Sequence, residues 1–343
     1  MLDLNSILPN LKSGLAGTGF LFGAGTSVEA GYPMMPALTR EVVSALSSDE
    51  LGQLLEVLAS HSLSYNSVAG TPNIEVLADL VISHALNSGD SRFSLLEARL
   101  RDLVSDVILS VDNPHMDHHV RFMTGLKSRA FGQPACVYIF TTNYDCLFEL
   151  AAAEAGVVVE TGFSGSVERF FDHGRFSTSC GTRNAGRFEE HPALTIRLVK
   201  LHGSISWLAR NGRVYERHPD AISKSERRVM ILPRRRKVMD TLQSPHDVLF
   251  GVVSRALGVE CKYIVSCGFS YGDAHINDNL LIPSVALGRV KLFALSEFVS
   301  DGMQPLRSPA FSAGFSDSMI VGGQDGEGAT DLWRFGRFAS LFG

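Results

Sequence analysis

A chain of 343 residues, 45% of them hydrophobic, has enough apolar content to bury a core in one large domain or two small ones. A formal net charge of -5 removes any general pull towards nucleic acid or an anionic membrane, and no apolar run approaches the ~20 residues of a membrane span. The N-terminus lacks the basic, apolar and small-residue pattern of a secretory leader, and the five cysteines (Cys136, Cys146, Cys180, Cys261, Cys267) include no CxxC pair, so a reduced, cytoplasmic protein without a disulfide framework is expected.

In chain order, Thr18 to Phe22 suit a short buried strand, and Ser27 is placed to cap a helix that follows. Residues about 40–128 then read as a helical insertion, because Phe93, Leu96, Leu100, Leu103 and Val107 recur at the three-and-four spacing of one helical face. A second strand, turn and helix unit follows at VYIFTTNYDCLFELAAAEAG, with a strand over Val137 to Thr141, Asp145 in a first helical turn and Gly156 as the stop. The aperiodic, Gly-, Ser- and Arg-rich stretch 162–190 reads as a long ordered loop or lid rather than a strand pair. TIRLVKLHGS, RVMILP, KYIVSCGFS and VKLFALS are further strand-like runs, and the tail 301–343 ends in an aromatic DLWRFGRFASLF suited to a docking helix. This alternation predicts an α/β fold over residues 1–300: a largely parallel sheet with helices on both faces, plus the helical insertion.

The stretch FLFGAGTSVEAGYP marks the first candidate site. A glycine turn after a parallel strand, leading into a helix N-terminus, is an anion site, and a phosphate is its expected guest. A Walker loop is excluded because Thr26 and Ser27 follow Gly25 with no lysine, and the dehydrogenase fingerprint fails at Val28, where a third Gly or Ala would stand. The spacing is instead Gly23, Gly25, Gly31 and then Pro33.

That spacing resembles the first motif of the sirtuin superfamily, GAGxSxxxGxP, matched at Gly23, Ala24, Gly25, Ser27, Gly31 and Pro33. TTNYD (Thr141 to Asp145), KLHGS (Lys200 to Ser204) and CGFSYGDAHIND (Cys267 to Asp278) resemble the family's later blocks in the same order. The resemblance implies a Rossmann-like sheet and NAD as substrate, with no metal. The turn Gly23, Ala24, Gly25, Thr26, Ser27, Gly31 and Pro33 would wrap the diphosphate and ribose, with Thr142 beside it and Gly268, Ser270 and Asp273 towards the adenosine ribose. His202 would be the catalytic base and Asn143 would hold the ribose and water. Asp145 would contact the nicotinamide carboxamide, the rival reading being a helix cap.

Two departures narrow the resemblance. Met34-Met35-Pro36 replaces the Asp-Phe-Arg of protein deacylases, and the family's zinc module of two CxxC pairs is absent. The pattern is more similar to sirtuin-like NAD hydrolases of bacterial antiphage systems, which implies NAD depletion in infected cells (abortive infection). Alternatives are a deacylase, an ADP-ribosyltransferase, or a non-catalytic subunit that holds NAD or ADP-ribose. Such an enzyme needs restraint, so a homo-oligomer or a separate regulating protein, such as a HerA-like ATPase, is expected. The insertion and the tail around Trp333 and Phe335 would be its contact surfaces. The basic run Arg227 to Lys237 is a local patch in an acidic chain and argues more for a neighbouring carboxylate or phosphate than for DNA. NPHMDHHVRF carries His115 and His119 at a zinc-compatible spacing, but a solvated helix start is the plainer reading.

Overall fold

The computed structural model describes residues 15–130, 132–179, 181–190, 193–223, 226–231 and 244–343. Cys180 and the 232–237 part of the basic run lie outside the described residues.

The centre of the fold is β1 (Thr18–Phe22), every residue of which is buried. It pairs in parallel with β2 (Ala135–Thr141) on one side and β12 (Tyr263–Cys267) on the other. Beyond β2 lie β8 (Leu194–Lys200) and β3 (Val158–Glu160), and beyond β12 lie β13 (Lys291–Leu295) and β14 (Phe311–Gly314), all parallel. Antiparallel β15 (Met319–Val321) and β16 (Gln324–Gly326) complete that edge, so residues after 300 build the same sheet. The strand order departs from β1 in both directions, which opens a crevice at the carboxyl ends of β1, β2 and β12.

The period of two along β1 and β2 decides how the faces are covered. Phe20, Phe22, Val137 and Ile139 face α5 (Asp117–Arg129), α6 (Leu147–Ala155) and the tail helix α8 (Phe335–Ala339). Phe22 stacks on Phe148 at 4.9 Å, and Phe122 meets Phe20 edge-on at 5.1 Å. Leu21, Tyr138 and Phe140 face the other way, onto α7 (His246–Ala256) and a helical run made of Ala274–Ile276, π-helical Asn277–Leu281 and Ile282–Ala286. This is the α/β arrangement with both faces covered that the strand runs predict.

The inserted helical module comprises α1 (Met35–Ser44), α2 (Ser48–Ser60), α3 (Ile74–Ser88) and α4 (Ser91–Leu109) around one apolar cluster. Helix α2 starts with a Ser47/Glu50 capping box, and the side chains of Asn73 and Asp90 cap α3 and α4. The α4 stripe from Phe93 to Val107 is buried as its spacing requires, whereas α5 belongs to the core of the sheet.

Two readings are corrected. Residues 162–190 form strand pairs: β4 (Phe163–Gly165) with β5 (Arg169–Phe171), and the hairpin β6 (Gly181–Asn184) with β7 (Arg187–Glu190). The RVMILP run supplies β11 (Arg228–Met230) to a second, antiparallel sheet with β9 (Gly203–Arg210), β10 (Arg213–Glu216), β5 and β4. Trp207 and Phe163 fill that sheet's buried side, and Arg169 joins it through Glu216 at 2.5 Å. Three-residue strands held by one tryptophan and an ion pair leave no periodic signal. Among the described residues no helix is long and apolar enough to cross a membrane.

Candidate functional site

β1 delivers the chain into Gly23, after which Ala24–Ser27 form one turn of 3-10 helix. The turn is clamped against the end of β12: Gly23 N donates to Cys267 O (3.4 Å) and Gly25 N to Gly268 O (3.0 Å). A Cβ on Gly25 would lie 2.6 Å from the Gly268 Cα, and Gly268 itself has φ +66, so both positions require glycine. Ser27 caps no helix. The next helix begins at Met35 after a break at Gly31 and Pro33, and the Ser27 hydroxyl donates to Asp145 Oδ2 at 2.8 Å instead. A single 3-10 turn carries little macrodipole, so the helix-terminus anion site that the sequence suggests is weak here.

β2 delivers Thr142, Asn143, Tyr144 and Asp145 to the same place. The Asn143 amide nitrogen donates to Thr26 Oγ1 (3.1 Å) and Ser27 Oγ (2.9 Å). An ionised Asp145 can only accept, so the Ser27 proton points at it and the remaining Ser27 lone pair requires Nδ2 of Asn143. That sequence of donors fixes the amide with its nitrogen towards Thr26 and Ser27, and Asn143 Oδ1 is buried without a partner. Asp145 Oδ1 accepts from Leu147 N at 3.1 Å, so both of its oxygens are engaged, one by the first amide of α6 and one by Ser27.

Below this loop lies Lys200, only 1% exposed. Its ammonium bonds Glu149 Oε1 (2.9 Å), Ser204 Oγ (2.8 Å) and the carbonyl of Asp145, with the Tyr144 carbonyl at 3.4 Å. Burial works against its charge, but Glu149, Cys146 and Asp145 outweigh burial and push its pKa above the usual lysine value. Lys200 thus fixes the carbonyls of the loop that presents Asn143.

His202 follows β8. Its carbonyl accepts from Ile231 N at 2.9 Å, and Gly203 turns the chain at φ +84, where a Cβ would meet Val229 O at 2.3 Å. The imidazole is buried and places Nε2 2.8 Å from Asp273 Oδ2. Asp273, after β12, uses Oδ1 to accept from His275 N (3.1 Å) and Ile276 N (3.3 Å).

These segments enclose a cavity of about 500 Å³, within the range of small-molecule sites. Gly23, Ala24, Gly25, Ser27, Pro33, Thr142, Asn143, Asp145, His202, Gly268, Ser270 and Asp273 all line it. Thr26 and Gly31 do not: Thr26 is buried behind the turn, bonded to Gly23 O at 2.9 Å, and Gly31 shapes the exit at φ +101. Tyr32, Asn73, Glu75, Ile108, Tyr144 and Phe269 also line the cavity and are absent from the sequence-based set. Tyr144 lies inside the TTNYD block and was legible there, but nothing local signals that α3 brings Asn73 and Glu75 over the opening. No lysine or arginine lines the cavity among the described residues. The glycine turn at the cavity wall and the unpartnered Asn143 carbonyl fit a dinucleotide, with close approach to backbone on one side and an acceptor for a hydroxyl or water on the other. His119 makes no metal pair with His115, since its ring is buried between Phe148 and Phe335.

Residues 137–281 match the family model described as a SIR2-like domain, and this stretch is similar to that family. The match takes in Asn143, Asp145, His202, Gly268, Ser270 and Asp273 and leaves the opening glycine turn outside it. A SIR2-like domain fits NAD-dependent chemistry in general. No curated protein matches the chain.

Proposed function

We propose that the chain is an NAD hydrolase that cleaves the bond between ribose C1′ and nicotinamide. The observation carrying this reading is the meeting of His202 and Asn143 with the Gly23 to Gly25 turn in one cavity, Asn143 presenting a buried carbonyl that lacks a protein partner. The water oxygen bonds C1′, the electron pair of the breaking C1′–N bond passes to nicotinamide, which leaves neutral, and His202 takes the water's proton and returns it to solvent. A neutral imidazole can accept a proton from water, and a positioned base contributes ~100- to 10,000-fold. Asn143 holds the ribose and water in line.

Incubation with NAD, followed by chromatography of the products, tests the reading. Equal release of nicotinamide and ADP-ribose, independent of any acyl-lysine peptide, is expected; release only when such a peptide is present would sink it. One observation favours transfer to an acceptor as a second reading. A neighbouring cavity of about 630 Å³ shares Tyr32 and Ile108 with the first and leaves room for another molecule.

Within the hydrolase reading, the activity serves antiphage defence by emptying infected cells of NAD, restrained by self-assembly or by a partner such as a HerA-like ATPase. Its support is the resemblance to sirtuin-like antiphage hydrolases together with the missing zinc module. Light scattering that finds a monomer, fully active alone, would remove the assembly part.

A further inference from the structure

We infer that Asp273 is the positioning residue of the hydrolytic base: it fixes the ring and the tautomer of His202 instead of binding the substrate's ribose. The inference rests on the hydrolase reading for its kinetic consequence, but its geometry stands by itself. Both oxygens of Asp273 are committed, Oδ1 to the amides of His275 and Ile276 and Oδ2 to His202 Nε2 at 2.8 Å. The two side chains are each only 8% exposed, so little water competes for the contact.

The dyad is assembled by the sheet. β8 and β12 have β2 and β1 between them, so the pair joins the ends of two non-adjacent strands at the cavity that the glycine turn also lines. Each partner is anchored through its own backbone: His202 by the β9/β11 pairing, with Gly203 opposite Met230 and the bond from Ile231 N, and Asp273 by the first amides of the helical run it caps. A carboxylate can only accept, so the shared proton belongs to Nε2 and the lone pair of the neutral ring lies on Nδ1, the one ring atom able to take a proton. Losing that carboxylate frees the ring to rotate and to exchange tautomers, which removes the base from its working orientation in most molecules.

The capping role and the positioning role separate experimentally, because Asn and Ser are both good N-caps and neither supplies a carboxylate to His202. For Asp273→Asn and Asp273→Ser, measured with whatever partner activates the wild type, kcat for nicotinamide release should fall on the order of 100-fold. KM and the affinity for ADP-ribose should stay within about threefold, since the orienting group makes no ground-state contact with substrate. Imidazole nitrogen NMR, with the His202 signal identified by its loss in His202→Gln, should show a single Nε2–H tautomer in the wild type and a mixture in both variants. Raised KM with kcat retained would make Asp273 a ribose contact and overturn the inference, as would unchanged kinetics or an unchanged tautomer. If the wild type releases no nicotinamide, the hydrolase reading has failed and the NMR result alone decides whether Asp273 sets the ring.

Discussion

Replacing Gly268 by alanine tests whether the two glycine segments at the crevice act as one interlocked cradle. Gly268 has φ +66, a conformation that costs an L-residue about 1–2 kcal/mol. Its added Cβ would lie 2.5 Å from Thr26 N and 2.7 Å from the Gly25 carbonyl carbon, both backbone atoms that cannot swing aside. Relieving such a clash by moving backbone costs about 1–3 kcal/mol, so the variant should lose about 2–5 kcal/mol of stability, a large part of a typical domain's margin. The shift falls on the Gly25 N to Gly268 O bond and displaces the turn that lines the cavity. Urea unfolding and calorimetric titration with ADP-ribose read the two effects together. A stability change under about 0.5 kcal/mol, with ADP-ribose affinity unaltered, would refute the interlocked-cradle argument.

Lys200→Met should destabilise the protein by about 3–5 kcal/mol, because Glu149 and the loop carbonyls would keep their burial and lose the Lys200 ammonium, and Lys200→Met/Glu149→Leu should recover part of that in urea melts. Asp145→Asn lets the new amide donate to Ser27, so the Asn143 nitrogen is no longer held towards Ser27; turnover should fall about tenfold or more with the fold intact by circular dichroism, and full activity would contradict the donor sequence. His119 is pushed down to about 3 by burial, with His118 adding to the effect, and both ring nitrogens lack partners. Its ring is therefore neutral in the folded state, and its contribution is fully present above the ordinary value of 6.5 and lost as pH falls from there towards about 3. At pH 5 this amounts to about 2 kcal/mol, so His119→Phe should flatten the decline in urea midpoint between pH 7.5 and pH 5, and an unchanged slope would count against it.

The parts of the fold that repeat were legible in the sequence. The strand over Val137 to Thr141, the stop at Gly156 and the buried α4 stripe follow from local period and turn chemistry. The β4/β5 pair of the second sheet was not, since these three-residue strands depend on Trp207, Phe163 and the Arg169–Glu216 pair, partners that only the fold brings together. At the site, the glycine turn was legible from its residues and His202 and Asn143 through the family resemblance, and the cavity gathers them. Their partners were hidden: Ser27 looked like a helix cap and proved to be the link between Asp145 and Asn143, while Asp273 meets His202 only because β8 and β12 end at the same crevice. Asn73 and Glu75 arrive from a helical module whose placement over the crevice no local pattern encodes.

The central claim, that this cavity hydrolyses NAD, is tested most directly by nicotinamide release from NAD by the wild type, His202→Ala and Asn143→Ala proteins, each alone and in lysate of phage-infected cells. Release by the wild type in at least one condition and loss of about 100-fold or more in both variants, with ADP-ribose binding retained, are expected. Wild-type silence in every condition with binding intact, or release that survives His202→Ala, would contradict the claim.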